Sequence, residues 1–167
     1  MNRTCLQLCL IVPASLLFLT NPATAQDVPS ATTQQQAVAY AHAAEADPLG
    51  PQADQQRKAA MTFDENDHTS HVLLCSPMFN QMNSAKGSRA HDISLQMIIS
   101  AAAFLYEHPE AASDSRAQNL AGLNAALNVY EKFLAADPAA KSSLYDNLLK
   151  KRGDGKLEKE LAGMCPK

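Results

Sequence analysis

The chain has 167 residues, with 14 Lys+Arg against 17 Asp+Glu, a formal charge of −3 and only 19% charged residues overall. A mild acidic balance with no basic stripe excludes a phosphate-binding face, so nucleic acid is not an expected partner. Aromatic residues make up 5% of the chain and tryptophan is absent, which leaves aliphatic side chains and alanine to build one modest core.

Residues 1–25 read as an export signal. Arg3 precedes an apolar run from Leu6 to Leu19, and Ala23, Thr24 and Ala25 form a small-residue A-x-A site that makes Gln26 the expected first mature residue. The run is too short and too early for a membrane span, and no stop-transfer charges follow it, so no integral membrane segment is expected after cleavage. Lipid attachment at Cys9 is the rival reading, but LQLC lacks small residues before the cysteine and most of the apolar run lies after it. Cleavage would remove Arg3 and no acid, leaving 13 basic against 17 acidic side chains and a formal charge of −4. Residues 26–36 are polar and poor in bulky apolar groups, the composition of a mobile leader, and 37–167 are expected to form a single helical domain.

Pro and Gly punctuation then divides the chain into helical segments. An alanine-rich helix is expected over 33–46, and a second over 51–63 with Pro51 at its first position, where a missing N–H costs nothing. DENDHTSH reads as a loop. The apolar run VLLC, Val72 to Cys75, fits either a short buried strand or a helical turn, which periodicity cannot separate. SPMFNQMNSAKGS reads as an irregular connection. Ser88 is placed to cap a helix over 89–107 with apolar residues on nearly every face, the mark of a central core helix. Ser115 and Gln118 have capping-box spacing, and Leu120, Leu123, Leu127, Tyr130 and Leu134 recur at alternating three- and four-residue steps, predicting an amphipathic helix to about Ala136. Asp137 and Pro138 suit the start of another helix, carrying Leu144, Leu148 and Leu149. RGDG breaks it before a last short helix with Leu157 and Leu161. Lys150, Lys151 and Arg152 form a basic cluster at a helix C-terminus, where the dipole favours cations. The expected fold class is all-α, a small five- or six-helix orthogonal bundle with one disulfide.

Cys5 and Cys9 would leave with the signal, so the mature chain keeps Cys75 and Cys165. An even count in an exported chain favours a disulfide between them, and neither stands in a C-x-x-C pair or a nucleophile motif. Such a bridge would close about 90 residues and hold a terminal segment that otherwise frays.

The stretch 126–142, ALNVYEKFLAADPAAKS, resembles the second helix of a tetratricopeptide repeat and the proline after it, with Ala126, Tyr130 and Pro138 at that family's spacing. Phe133 stands where the family has a small residue, and the preceding half contains HPEAASDS. The echo between FLYEHPEAA and FLAADPAAK spans 29 residues, against about 34 for the family. The resemblance would imply a protein-interaction hairpin. A metal-handling reading rests on His68, His71, Met78 and Met82, with Cys75 and the acids Asp64, Glu65 and Asp67 close by. Imidazole and thioether are acceptable ligands for zinc or copper, but the spacing matches no paired-ligand motif. DENDHT starts like a calcium loop yet lacks the glycine and the closing glutamate.

His42, His91 and His108 have no nucleophile partner assigned by any motif, and there is no G-x-S-x-G, phosphate loop or dinucleotide fingerprint. No catalytic residue and no cofactor are therefore assigned. The leading expectation is a non-catalytic binding or structural module of the cell envelope, periplasmic or secreted, with another envelope protein as partner. Metal handling and the repeat-like hairpin stand as alternatives.

Overall fold

The computed structural model describes residues 27–165; the signal reading of 1–25 lies outside them. Seven α-helices occur among the described residues: α1 (Gln34–Ala46), α2 (Ala53–Asn66), α3 (Ser76–Asn83), α4 (Ala90–Glu107), α5 (Ser115–Ala136), α6 (Ser143–Gly153) and α7 (Leu157–Met164). Two 3-10 turns, Pro109–Ala111 and Pro138–Ala140, complete the order, and no strand is present among the described residues. The fold is an all-α bundle with one disulfide, Cys75 to Cys165.

α4 and α5 form its centre, joined through the short link at Pro109–Ala111. Ile93, Met97, Ile99, Ala101, Ala102 and Leu105 of α4 are buried, and Leu123, Ala126, Leu127, Val129, Tyr130 and Phe133 of α5 match them. Gly122 lets the two backbones approach until a Cβ there would lie 2.3 Å from the Met97 carbonyl oxygen. α1 lies against α4 through its small face, Ala37, Ala41 and Ala44. The buried Gln96 clips that contact by donating from Nε2 to the Ala41 carbonyl at 3.0 Å. Lys132 of α5 closes the α1 C-terminus, its Nζ donating to the carbonyls of Glu45 at 2.7 Å and Ala46 at 2.8 Å. A cation there satisfies orphan carbonyls and the dipole together.

Several boundaries differ from the sequence expectation for identifiable reasons. The seventh helix is α3, in a stretch expected to be irregular: Pro77 occupies its first turn, and Met78 and Met82, one turn apart, are both fully buried. α2 starts at Ala53 because Pro51 lies in the preceding turn. Asp114, not Ser115, caps α5 by accepting from the Ala117 N–H at 3.0 Å. Ser88 does not cap α4; its hydroxyl donates to Asp137 at 3.2 Å. The helix expected from Pro138 is split, since Lys141 is extended and the Ser142 N–H donates to the Tyr130 hydroxyl at 3.1 Å. α1 begins at Gln34 with Thr33 as its cap, and upstream the Val28 N–H donates to Gln55 at 2.9 Å.

The second half of the chain is pinned by tyrosines. Tyr130 and Tyr145 have ring centroids 5.0 Å apart, and both side chains are fully buried. The Tyr130 hydroxyl donates to Asp146 at 2.6 Å, and the Tyr145 hydroxyl donates to the Met82 carbonyl at 2.8 Å, tying α6 to α3. Burial pushes both phenols above their ordinary range. Phe133 is also fully buried, with the Arg89 guanidinium 4.7 Å and the Arg57 guanidinium 5.9 Å from its ring centroid. That packing explains why a large ring stands where a repeat helix has a small residue.

Candidate functional site

VLLC is neither strand nor helix. It runs as an irregular segment along α5, and side-chain amides supply what a neighbouring strand would. The Leu73 N–H donates to Gln118 Oε1 at 2.9 Å, the Cys75 N–H donates to Asn119 Oδ1 at 2.8 Å, and Asn119 Nδ2 donates back to the Leu73 carbonyl at 2.6 Å. Gln118 Nε2 also donates to the Ala111 carbonyl at 2.8 Å. Gln118 and Asn119 are buried, so these amides are the satisfied polar partners of a backbone that would otherwise be desolvated without bonds.

This arrangement shapes a groove of about 520 Å³ between the 73–77 segment, the start of α5 and the end of α7. Leu73, Leu74, Pro77, Leu161, Ala162 and Met164 give it apolar walls, and Ser76, Ser115, Asn119 and Arg116 supply polar groups. Leu73 is 45% exposed, one of two large apolar side chains so displayed among the described residues. Arg116 pairs with Glu158 at 3.8 Å, its one ion pair among the described residues, and both side chains are substantially solvated. The disulfide forms part of the groove wall: Cys75 is 6% exposed and Cys165 is half-buried.

The residues considered as metal ligands do not share one surface. Met78 and Met82 face the core, His68 and His71 stand exposed in the loop after α2, and Cys75 is oxidised. Among the described residues no group of three or more His, Cys, Asp or Glu side chains is arranged to hold a metal ion. His42 pairs with Glu107 at 3.0 Å and His108 with Glu110 at 3.3 Å, both at the surface. His91 is also exposed, 3.4 Å from Asn83. Among the described residues, none of these histidines is hydrogen-bonded to a serine, threonine or cysteine side chain.

The acids beside the loop are divided by their surroundings. Burial raises the Asp64 carboxyl above its ordinary value of 3.8, while the Tyr106 hydroxyl, donating at 3.0 Å, works against that rise. The Thr69 hydroxyl, donating at 2.6 Å, holds the partly exposed Asp67 below the same value. Because folding raises the Asp64 pKa, its contribution to stability is full below 3.8 and is lost as pH rises through the raised folded value. Asp67 runs the other way, contributing above 3.8 and losing that contribution as pH falls. Asp64→Asn keeps an acceptor for Tyr106 and removes the ionisation. The variant is expected to gain on the natural protein as pH rises from about 3 to 7, measured as the difference in urea midpoints. A difference that does not change with pH would assign the effect to the hydrogen bond alone.

Sequence reasoning missed Leu73, Arg116, Gln118 and Asn119. The available signal was the amide pair Gln118–Asn119, placed just before the apolar series of α5 and needing a partner wherever it is buried. No protein-family model, curated protein or solved structure matches this chain. Among the described residues no helix is long and apolar enough to cross a membrane.

Proposed function

We propose that the chain is an exported, non-catalytic helical module of the cell envelope, and that the groove beside the disulfide binds an extended apolar segment of a partner protein that carries an acidic group. The observation that carries this reading is the Cys75–Cys165 bridge forming part of a groove wall. A disulfide belongs to an oxidising compartment, in keeping with the signal read in residues 1–25. The same bridge fixes α7 against the 73–77 segment and so holds two groove walls together. The choice of partner follows from the lining: apolar walls with Leu73 displayed ask for apolar side chains, and a solvated Arg116 loosely paired with Glu158 asks for a carboxylate.

The test places a photo-crosslinking residue at Leu73 in intact cells and recovers the protein from the envelope fraction. The recovered chain is expected to begin at or next to Gln26 by intact mass. The adduct should map to an acidic, apolar segment of one partner and disappear in Arg116→Glu. The same probe at Leu49, which is at least as exposed at 49% but lies outside the groove, should give no such adduct. Retention of residues 1–25 would overturn export, and an adduct indifferent to Arg116 or shared with Leu49 would overturn the groove.

A further inference from the structure

We propose that the Cys75–Cys165 disulfide is a thiol–disulfide exchange site, attacked at the Cys165 sulfur by a thiolate entering the groove, with Cys75 as the leaving group. The proposal goes beyond partner binding and does not require it.

Three observations give the pair opposite roles. Cys165 is half-buried in the groove wall, whereas Cys75 is 6% exposed and has its backbone N–H fixed on Asn119. An attacking thiolate therefore meets the Cys165 sulfur first. Cys75 is also the N-cap residue of α3, and no side chain caps that helix. A sulfur released there as a thiolate sits where first-turn N–H groups need an acceptor and where the helix dipole favours negative charge, the setting that depresses a thiol pKa. Finally, Arg116 lines the same groove as Cys75 and Cys165 and supplies a cation there for both the incoming and the departing thiolate.

Exchange is fastest when the leaving thiol has a low pKa and the attacked sulfur is accessible, and the two cysteines divide those properties between them. In the step, the electron pair of R–S⁻ forms a bond to the Cys165 sulfur. The Cys75–Cys165 bond breaks and its pair leaves on Cys75, giving Cys165–S–S–R and a Cys75 thiolate. Return of Cys75 onto Cys165 expels R–S⁻ and restores the bridge. Attack of a second R–S⁻ on the R sulfur instead gives R–S–S–R and the dithiol protein, so the thiol is oxidised as the bridge is reduced.

The experiment uses the oxidised mature protein. It is incubated natively with reduced glutathione in one arm and with an extended peptide bearing one cysteine in the other, quenched by alkylation and mapped by peptide mass. The expected product in at least one arm carries the thiol on Cys165 and the alkyl group on Cys75. Reaction in both arms would mark a general thiol site, and reaction of the peptide alone would assign a protein thiol as substrate. Arg116→Glu is expected to slow the step about threefold or more, the effect of roughly one unit in thiol pKa at a Brønsted coefficient near 0.5. Because Arg116 is a solvated surface side chain, circular dichroism should show that variant folded. Adducts on Cys75, an even split, or exchange no faster than global unfolding would each overturn the proposal.

Discussion

Gly122→Ala is expected to lower stability by about 1–3 kcal/mol, the usual cost of forcing extra atoms into a packed interior. The sign is the informative part. In an unobstructed helix interior alanine is better than glycine by about 1 kcal/mol, so propensity alone predicts a gain. At position 122 the new methyl would meet the Met97 carbonyl oxygen at 2.3 Å and the Ala101 Cβ at 3.1 Å. The first is a backbone atom inside α4, so no side-chain rotation relieves the clash and the two central helices must separate. That shift would loosen Leu123, Ala126 and Leu127, which are packed at full burial on the same helix. Gly163→Ala in α7 is the control, because nothing lies within 4 Å of its built Cβ, and it should stabilise slightly or leave stability unchanged. Urea denaturation of both variants checks the pair. A neutral or stabilising Gly122→Ala would show that α4 and α5 do not cross as closely as described.

α4 and α5 were legible in the sequence because each combines a long apolar pattern with a sharp stop, His108–Pro109 for one and Asp137–Pro138 for the other. The bridge was legible by counting, since only two cysteines lie beyond residues 1–25. What escaped depends on partners distant in the chain. α3 has eight residues, too short for a periodic signature, and it is a helix because Met78 and Met82 find the core and Tyr145 takes the Met82 carbonyl. The segment at Val72 to Cys75 is held by amides 44 to 46 residues away, and no local propensity encodes that. The candidate metal ligands His68, His71, Met78 and Met82 are likewise close in sequence, but the backbone passes from loop to helix among them and sends the sulfurs inward. The groove draws on three separated stretches, so its chemistry becomes visible only when α7 is folded back onto residues 73–77.

Loss of the bridge is expected to have the other large effect. With a sequence separation of 90 residues, the chain-entropy treatment gives roughly 4–5 kcal/mol as a ceiling, and measured values for single bridges fall more often at about 2–4. Cys165→Ser should therefore cost about 2–4 kcal/mol, and the loss should begin locally. α7 has eight residues, marginal as an isolated helix. Its remaining anchors are the buried Leu157 and Leu161, each contributing roughly 1.5–3 kcal/mol, and the ion pairs Lys151–Glu160 and Arg116–Glu158 near the surface, which add little. α4 and α5 bury their faces against each other without passing through the bridge. Hydrogen exchange should consequently show protection falling first in Leu157–Met164, while amides of Ala90–Glu107 and Ser115–Ala136 lose protection only by the global change. Reduction of the natural protein should reproduce that pattern, because it removes the same covalent link while leaving every side chain in place. Unchanged exchange in α7 after either treatment would mean that Leu157 and Leu161 hold the helix by themselves, and that the bridge in the groove wall serves its chemistry and not the position of the helix.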